Sequence, residues 1–176
     1  MALSRINASM VGTNGTISNA EYEYLNGTTS AIQTQIDGVG GKILQVVSDS
    51  STSSVGSSSS TSYQDIDTIG TITPASTSNK VIVLLSYHMY VHTGGGDVGG
   101  YGKIVRNSTT DVGHVHSHYI AATASTPAWQ GVFTNILVDS PSSSSSVQYN
   151  LYQKAGYGGT YQTNYPWFCI LMEVEG

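Results

Sequence analysis

The chain has 176 residues, enough for one ordinary domain and a small appendage, and only 10% are charged against a typical quarter. The place of the charges is taken by 26 serines, 19 threonines and 20 glycines. Lys and Arg number six and form no cluster, which argues against nucleic acid as a partner, since phosphate neutralisation needs concentrated positive charge. No apolar run approaches the roughly 20 residues that span a bilayer, so no membrane insertion is expected. The N-terminus "MALSRINASMVG" holds no apolar stretch of signal-peptide length.

Residues 1–16 are small, polar and without usable period, and read as an extended arm. They offer too little apolar surface to offset the entropy of ordering. The next stretch, "ISNAEYEYLNGTTSAIQTQID" at 17–37, reads as helical. Asn19 serves as a cap, and Glu21 and Glu23 lie in the first turn, where the helix dipole favours negative charge. A turn is expected at Asn26-Gly27, with a second short helix capped by Thr28 or Thr29. The apolar stripe is thin: Leu25, Ile32 and Ile36. Such a seam does not suit a globular core and needs a partner.

From residue 42 the hydrophobic period changes to two. "KILQVVS" reads as a strand, and a Ser-rich loop runs from Asp49 to Thr61. "SYQDIDTIGTIT" is a strand with a bulge at Gly70. After the turn "PASTSNK" comes the strongest strand, "VIVLLSYHMYVH". A glycine loop, "TGGGDVGG", leads to the strands "YGKIVRN" and "VGHVHSHYIAA". "STPAWQ" is a loop, "GVFTNILVD" a strand, "SPSSSSS" a turn and "VQYNLYQKA" a strand. "GYGGTYQTNYP" reads as a loop and "WFCILMEVE" as the last strand. About eight strands with turn signals between them suggest a mainly β chain, an antiparallel β-sandwich or barrel. The single cysteine, Cys169, sits among apolar neighbours and reads as a buried, inert thiol.

The stretch 17–36 resembles the shaft-junction motif of bacteriophage tail-fibre proteins, with Ile17, Ser18, Glu21, Tyr24, Leu25, Gly27, Thr29, Ser30, Ile32, Gln33 and Gln35 in matching places. "GKILQVVS", "ITPASTSNKVIV" and "ILMEVE" resemble the C-terminal heads of phage fibres. The resemblance covers nearly the whole chain. It implies a homotrimeric virion protein, with residues 1–40 as arm and helical trimerisation segment and residues 41–176 as a jelly-roll-like head. Leu25, Ile32 and Ile36 would then pack against their own copies about a three-fold axis. Only about 16 residues precede the motif, where such fibres carry a large virion-binding domain, so attachment to other virion proteins is expected through residues 1–16 or the head.

Two features could carry recognition or ligation. Alternation places His114, His116 and His118 on one strand face, where three copies at an axis would gather imidazoles fit for a metal ion. The plainer reading is a polar outer face opposite a buried Val115. Tyr152, Tyr157, Tyr161, Tyr165 and Trp167 lie among glycines in and beside the C-terminal loop, with Tyr101 after the glycine loop. Rigid aromatics in such settings serve recognition, and flat rings stack on sugars, so a host-surface glycan or protein is the expected partner. Packing within the sheets is the alternative. His88 and His92 read as packing residues. No catalytic motif is present: neither G-x-S-x-G nor H-E-x-x-H occurs, and Asp65 and Asp67, the one close acidic pair of the β region, read as a solvated strand face. No enzyme activity is expected. The readings that remain are a host-adhesion fibre and a purely structural capsid decoration protein. A secreted carbohydrate-binding module would leave the helical motif unexplained.

Overall fold

A computed structural model describes residues 38, 42–53, 56–92, 97–120, 128–156, 160–163 and 166–176. The chain divides into units 1–40 and 41–176, and every described strand belongs to the second. The expected arm, helical segment and seam residues Leu25, Ile32 and Ile36 lie outside the described residues.

Ten strands form two antiparallel sheets, and no helix occurs among the described residues. Sheet A is built on β4 (Lys80–His92), whose alternating burial makes it the spine. Along one edge β4 pairs with β7 (Ala128–Asp139). Along the other it pairs first with β10 (Trp167–Val174) and then with β9 (Thr160–Thr163). β1 (Ile43–Ser51) lies outside β10, and β2 (Gly56–Ser58) outside β9. Sheet B runs β3 (Gln64–Ile72), β8 (Val147–Ala155), β5 (Val98–Arg106), β6 (Thr110–Ile120).

The inward residues of the two sheets make the core. Val81, Val83, Leu85, Tyr87, Met89 and Val91 of β4 meet Ile69, Ile104, Tyr149 and Leu151 of sheet B. Cys169 is buried as expected, and burial pushes its thiol up to about 12, which keeps it protonated and unreactive. The bulge expected at Gly70 is present: the register shifts there, and its φ of +154° is one that side-chain-bearing residues rarely adopt. The β5–β6 hairpin turns at Asn107-Ser108, both with positive φ, and closes with the Thr109 N–H donating to the Arg106 carbonyl. That is a type I′ turn, which suits the right-handed twist of its strands.

Four segments read as loops are in part strand. The Ser-rich stretch holds the end of β1 and all of β2, Gly99 and Gly100 belong to β5, Ala128 to Gln130 open β7, and β9 lies inside the Gly/Tyr segment. In each case an already formed neighbour supplies a ladder of partners, and that outweighs poor local propensity.

Glu173 fixes one end of sheet A. It is 1% exposed and accepts hydrogen bonds from Asn79 Nδ2 (2.5 Å), Gln45 Nε2 (2.6 Å) and the Ala75 N–H (2.7 Å). Burial works to raise its pKa, but the hydrogen bonds outweigh this and hold the carboxyl below its ordinary 4.5. A depressed folded pKa gives stability that is complete above the unfolded value and is lost as pH falls through the folded one. Thermal melts should therefore show Tm falling as the pH drops below about 4.5. Glu173→Gln should lower the neutral-pH stability by about 1–3 kcal/mol and flatten the acid slope. An unchanged slope in that variant would exclude Glu173 as its source.

Candidate functional site: the outer face of sheet B

Alternation sets Tyr101 and Lys103 of β5, and Tyr152 and Lys154 of β8, on the outward face of sheet B, while Gly102, Ile104, Leu151 and Gln153 turn inward. Register brings them side by side: Tyr101 pairs with Lys154, and Lys103 with Tyr152. Tyr63, just before β3, reaches over the same area. The Lys103 ammonium lies 4.4 Å and the Lys154 ammonium 4.9 Å from the Tyr63 ring centre, and Lys154 is also 5.0 Å from the Tyr101 ring. Cation–π contacts of this kind contribute about 0.5–1 kcal/mol each at exposed sites and hold the long lysine side chains in place. Lys103 is paired with Asp111 at 2.6 Å. Tyr63 Oη lies 3.5 Å from His114 Nδ1. Partial burial, then Asp111 and Tyr101, raise the Tyr63 phenol pKa, so it stays a neutral hydroxyl. The result is a half-exposed platform of three phenol rings and two ammonium groups, two of the chain's six cations. Ring faces and edges of this kind hold sugar C–H surfaces, and ammonium and phenol groups donate to hydroxyl or carboxylate oxygens.

Of the recognition residues expected from sequence, Tyr101 and Tyr152 belong to this face. Tyr157 and Tyr165 lie outside the described residues. Tyr161 is in β9, its backbone paired with Val91 and Ser58, so this part of the segment is sheet and not a free loop. Trp167 is a correction. It is 3% exposed, and its Nε1 donates to Asp67 Oδ2 at 2.8 Å, so it is a core residue and offers nothing to a receptor.

The histidine trio is also corrected. A register shift lies between the pairs His114–Lys103 and His116–Gly102. This β-bulge turns Val115 and His116 both inward and leaves His114 outside. His116 hydrogen-bonds the Tyr87 hydroxyl and packs 5.1 Å from the Phe133 ring centre. A Cβ on Gly102 would collide with the His116 ring, so that glycine is what lets the imidazole lie across β5. His118 pairs through its backbone with Gly100. The His114 and His116 imidazoles therefore do not share a face, and among the described residues no three His, Cys, Asp or Glu side chains converge on a metal position. A second bulge between Asp65 and Asp67 separates that pair as well. Asp65 accepts from Asn150 Nδ2, while Asp67 takes the Trp167 indole.

Tyr63, Lys103 and Lys154 are not among the residues that the sequence singles out. The alternation Y-x-K occurs twice, in "YGK" and "YQK", and that repeat is the signal that could have found them.

No family model matches the chain, and no curated protein matches it. Among solved structures, a chain of infectious bursal disease virus, Gx strain, is similar at 12% identity and TM-score 0.33, over 75% of this chain and 37% of that one. A chain of the Gt strain gives 10%, 0.24, 78% and 37%. A structure described as "CBM4 structure and function" gives 13%, 0.22, 67% and 78%. The chain thus spans little more than a third of the viral chains it resembles, and overlaps of this size carry no functional argument.

Proposed function

We propose that the chain is a phage virion structural protein: a short homotrimeric fibre with a jelly-roll-like head that binds a host-surface glycan through the outer face of sheet B. The observation that carries the adhesion reading is the convergence of Tyr63, Tyr101 and Tyr152 with Lys103 and Lys154 on one half-exposed platform. The tail-fibre resemblance of residues 17–36 supports the fibre and the trimer. Capsid decoration is the second reading, favoured by the burial of Trp167, which removes one of the aromatic side chains that an adhesin would present, and by the backbone pairing of Tyr161 within β9.

The double variant Tyr101→Ala/Lys154→Met separates the two. Both positions are half-exposed, so the melting temperature should move by only a few degrees. Adsorption of the purified protein to host cells should fall at least tenfold, the loss of roughly 1.4 kcal/mol. Unchanged adsorption, or no adsorption by the wild type with full retention on particles, would make decoration the function.

A further inference from the structure

The outer face of sheet A differs from that of sheet B in kind. Register aligns Val46, Met172, Ile82 and Val138 in one row across four strands. The next row is Ser48, Ile170, Leu84 and Ile136, and the third is Ser50, Phe168, Ser86 and Thr134, with Val132 beyond. None of these side chains is charged. Val132, Ile136 and Val138 are 61–66% exposed and Phe168 44%. Beside Phe168, where β9 gives way to β10, lies an open groove of about 510 Å³ lined by Ser86, His88, Val132 and Pro166 among others. A contiguous apolar face of this kind is rare on a protein that works alone.

We propose that two further copies of this chain, related by a three-fold axis, cover the outer face of sheet A, so that the heads themselves, and not only the N-terminal seam, hold the assembly together. This rests on the proposed homo-oligomer and names the surface it uses. Three observations favour a copy. Four strands at about 4.8 Å spacing and eight residues at about 3.3 Å rise give on the order of 500 Å² in projection, and the corrugated accessible surface is larger, in the range of the roughly 800 Å² per partner of a standard interface. The rows carry no charge, so three copies that turn this face to a common axis meet without like-charge repulsion. The polar positions in the rows, Ser48, Ser50, Ser86 and Thr134, are all hydroxyls, which donate and accept alike and so can pair with their own kind. A lipid surface fits less well: interfacial binding favours a basic rim, and here Lys80 stands at one corner of a chain with net charge −5.

Light scattering on the full chain at micromolar concentration tests this, with Ile136→Lys and Ile136→Thr as variants. Both sit at a site 65% exposed in the single chain, and the threonine, β-branched, keeps strand propensity should the lysine fold poorly. The expected result is a wild-type mass near three times 18.5 kDa, a shift to 18.5 kDa for the lysine variant, and at least a tenfold weaker association for the threonine, with native circular dichroism in both. If both variants keep the wild-type mass while Leu25→Lys/Ile32→Lys loses it, the proposal is overturned and the homo-oligomer stands on its seam alone. A monomeric wild type, with or without binding to phosphatidylcholine vesicles, overturns both.

Discussion

Trp167→Ala is expected to lower the unfolding free energy by about 3–5 kcal/mol, the range for deleting a large buried aromatic. The indole is 3% exposed at the point where β10 begins, between Ser51 of β1 and Tyr87 of β4. Its removal leaves a cavity in the core and strips Asp67 of the 2.8 Å hydrogen bond from Nε1. Trp167→Phe keeps most of the volume and loses the donor, and should cost about 1 kcal/mol plus a small packing term. Urea midpoints at constant m give both values. If Trp167 were a receptor contact, the alanine variant would bind weakly but melt normally; the burial requires the opposite pattern once the folded fraction is allowed for.

Asp139→Ala should be comparably severe, about 3–5 kcal/mol, for an electrostatic reason. Asp139 ends β7 in sheet A, yet both its oxygens lie 2.7 Å from Arg106 Nη1 of β5, and Oδ2 accepts at 2.8 Å from the hydroxyl of fully buried Tyr149 of β8. The trio clamps the two sheets together. Arg106 and Asp139 are only 16% and 10% exposed in their side chains, so truncating the acid strands a half-buried cation and a buried phenol. Burial, then the Asp139 hydrogen bond, drives the Tyr149 phenol far above its ordinary pKa, so alkali does not ionise it in the native state. Replacing the pair together, Arg106→Met/Asp139→Leu, should cost clearly less than the single change, because no uncompensated charge remains. Equal losses in the single and double variants would refute the clamp.

The sandwich is legible in the sequence because long runs such as "VIVLLSYHMYVH" and "VQYNLYQKA" alternate cleanly; β8 is Val147–Ala155 by sequence and by structure alike. The short strands are not. β2 is written in serines and β9 in a Gly/Tyr stretch, compositions that signal turns, and only the edge offered by β4 makes β9 a strand. The histidine trio fails because counting by two breaks at a bulge, and nothing in "GHVHSH" marks one. Trp167 could have been placed. Once "WFCILMEV" is a strand with Cys169 inward, Trp167 two residues earlier must point inward as well. The apolar outer face is also written in the sequence. "VIVLL", "FCILM" and "ILV" are continuous, and a strand apolar on both sides is one that expects cover on both sides.

The place of β10 sets the order in which the head can be completed. It lies between β1 and β4, so Ile43 pairs with Val174 and Lys80 does so from the other side. Until residues 167–174 have left the ribosome, β1 lacks its partner strand and the Lys80–Tyr87 flank of the spine is unpaired. Closure of sheet A is therefore a late, non-local event, slow in the way of high-contact-order β proteins. Nascent chains waiting for it expose the strand edges through which neighbouring chains misassociate. Slower translation would prolong that exposure without speeding the final step.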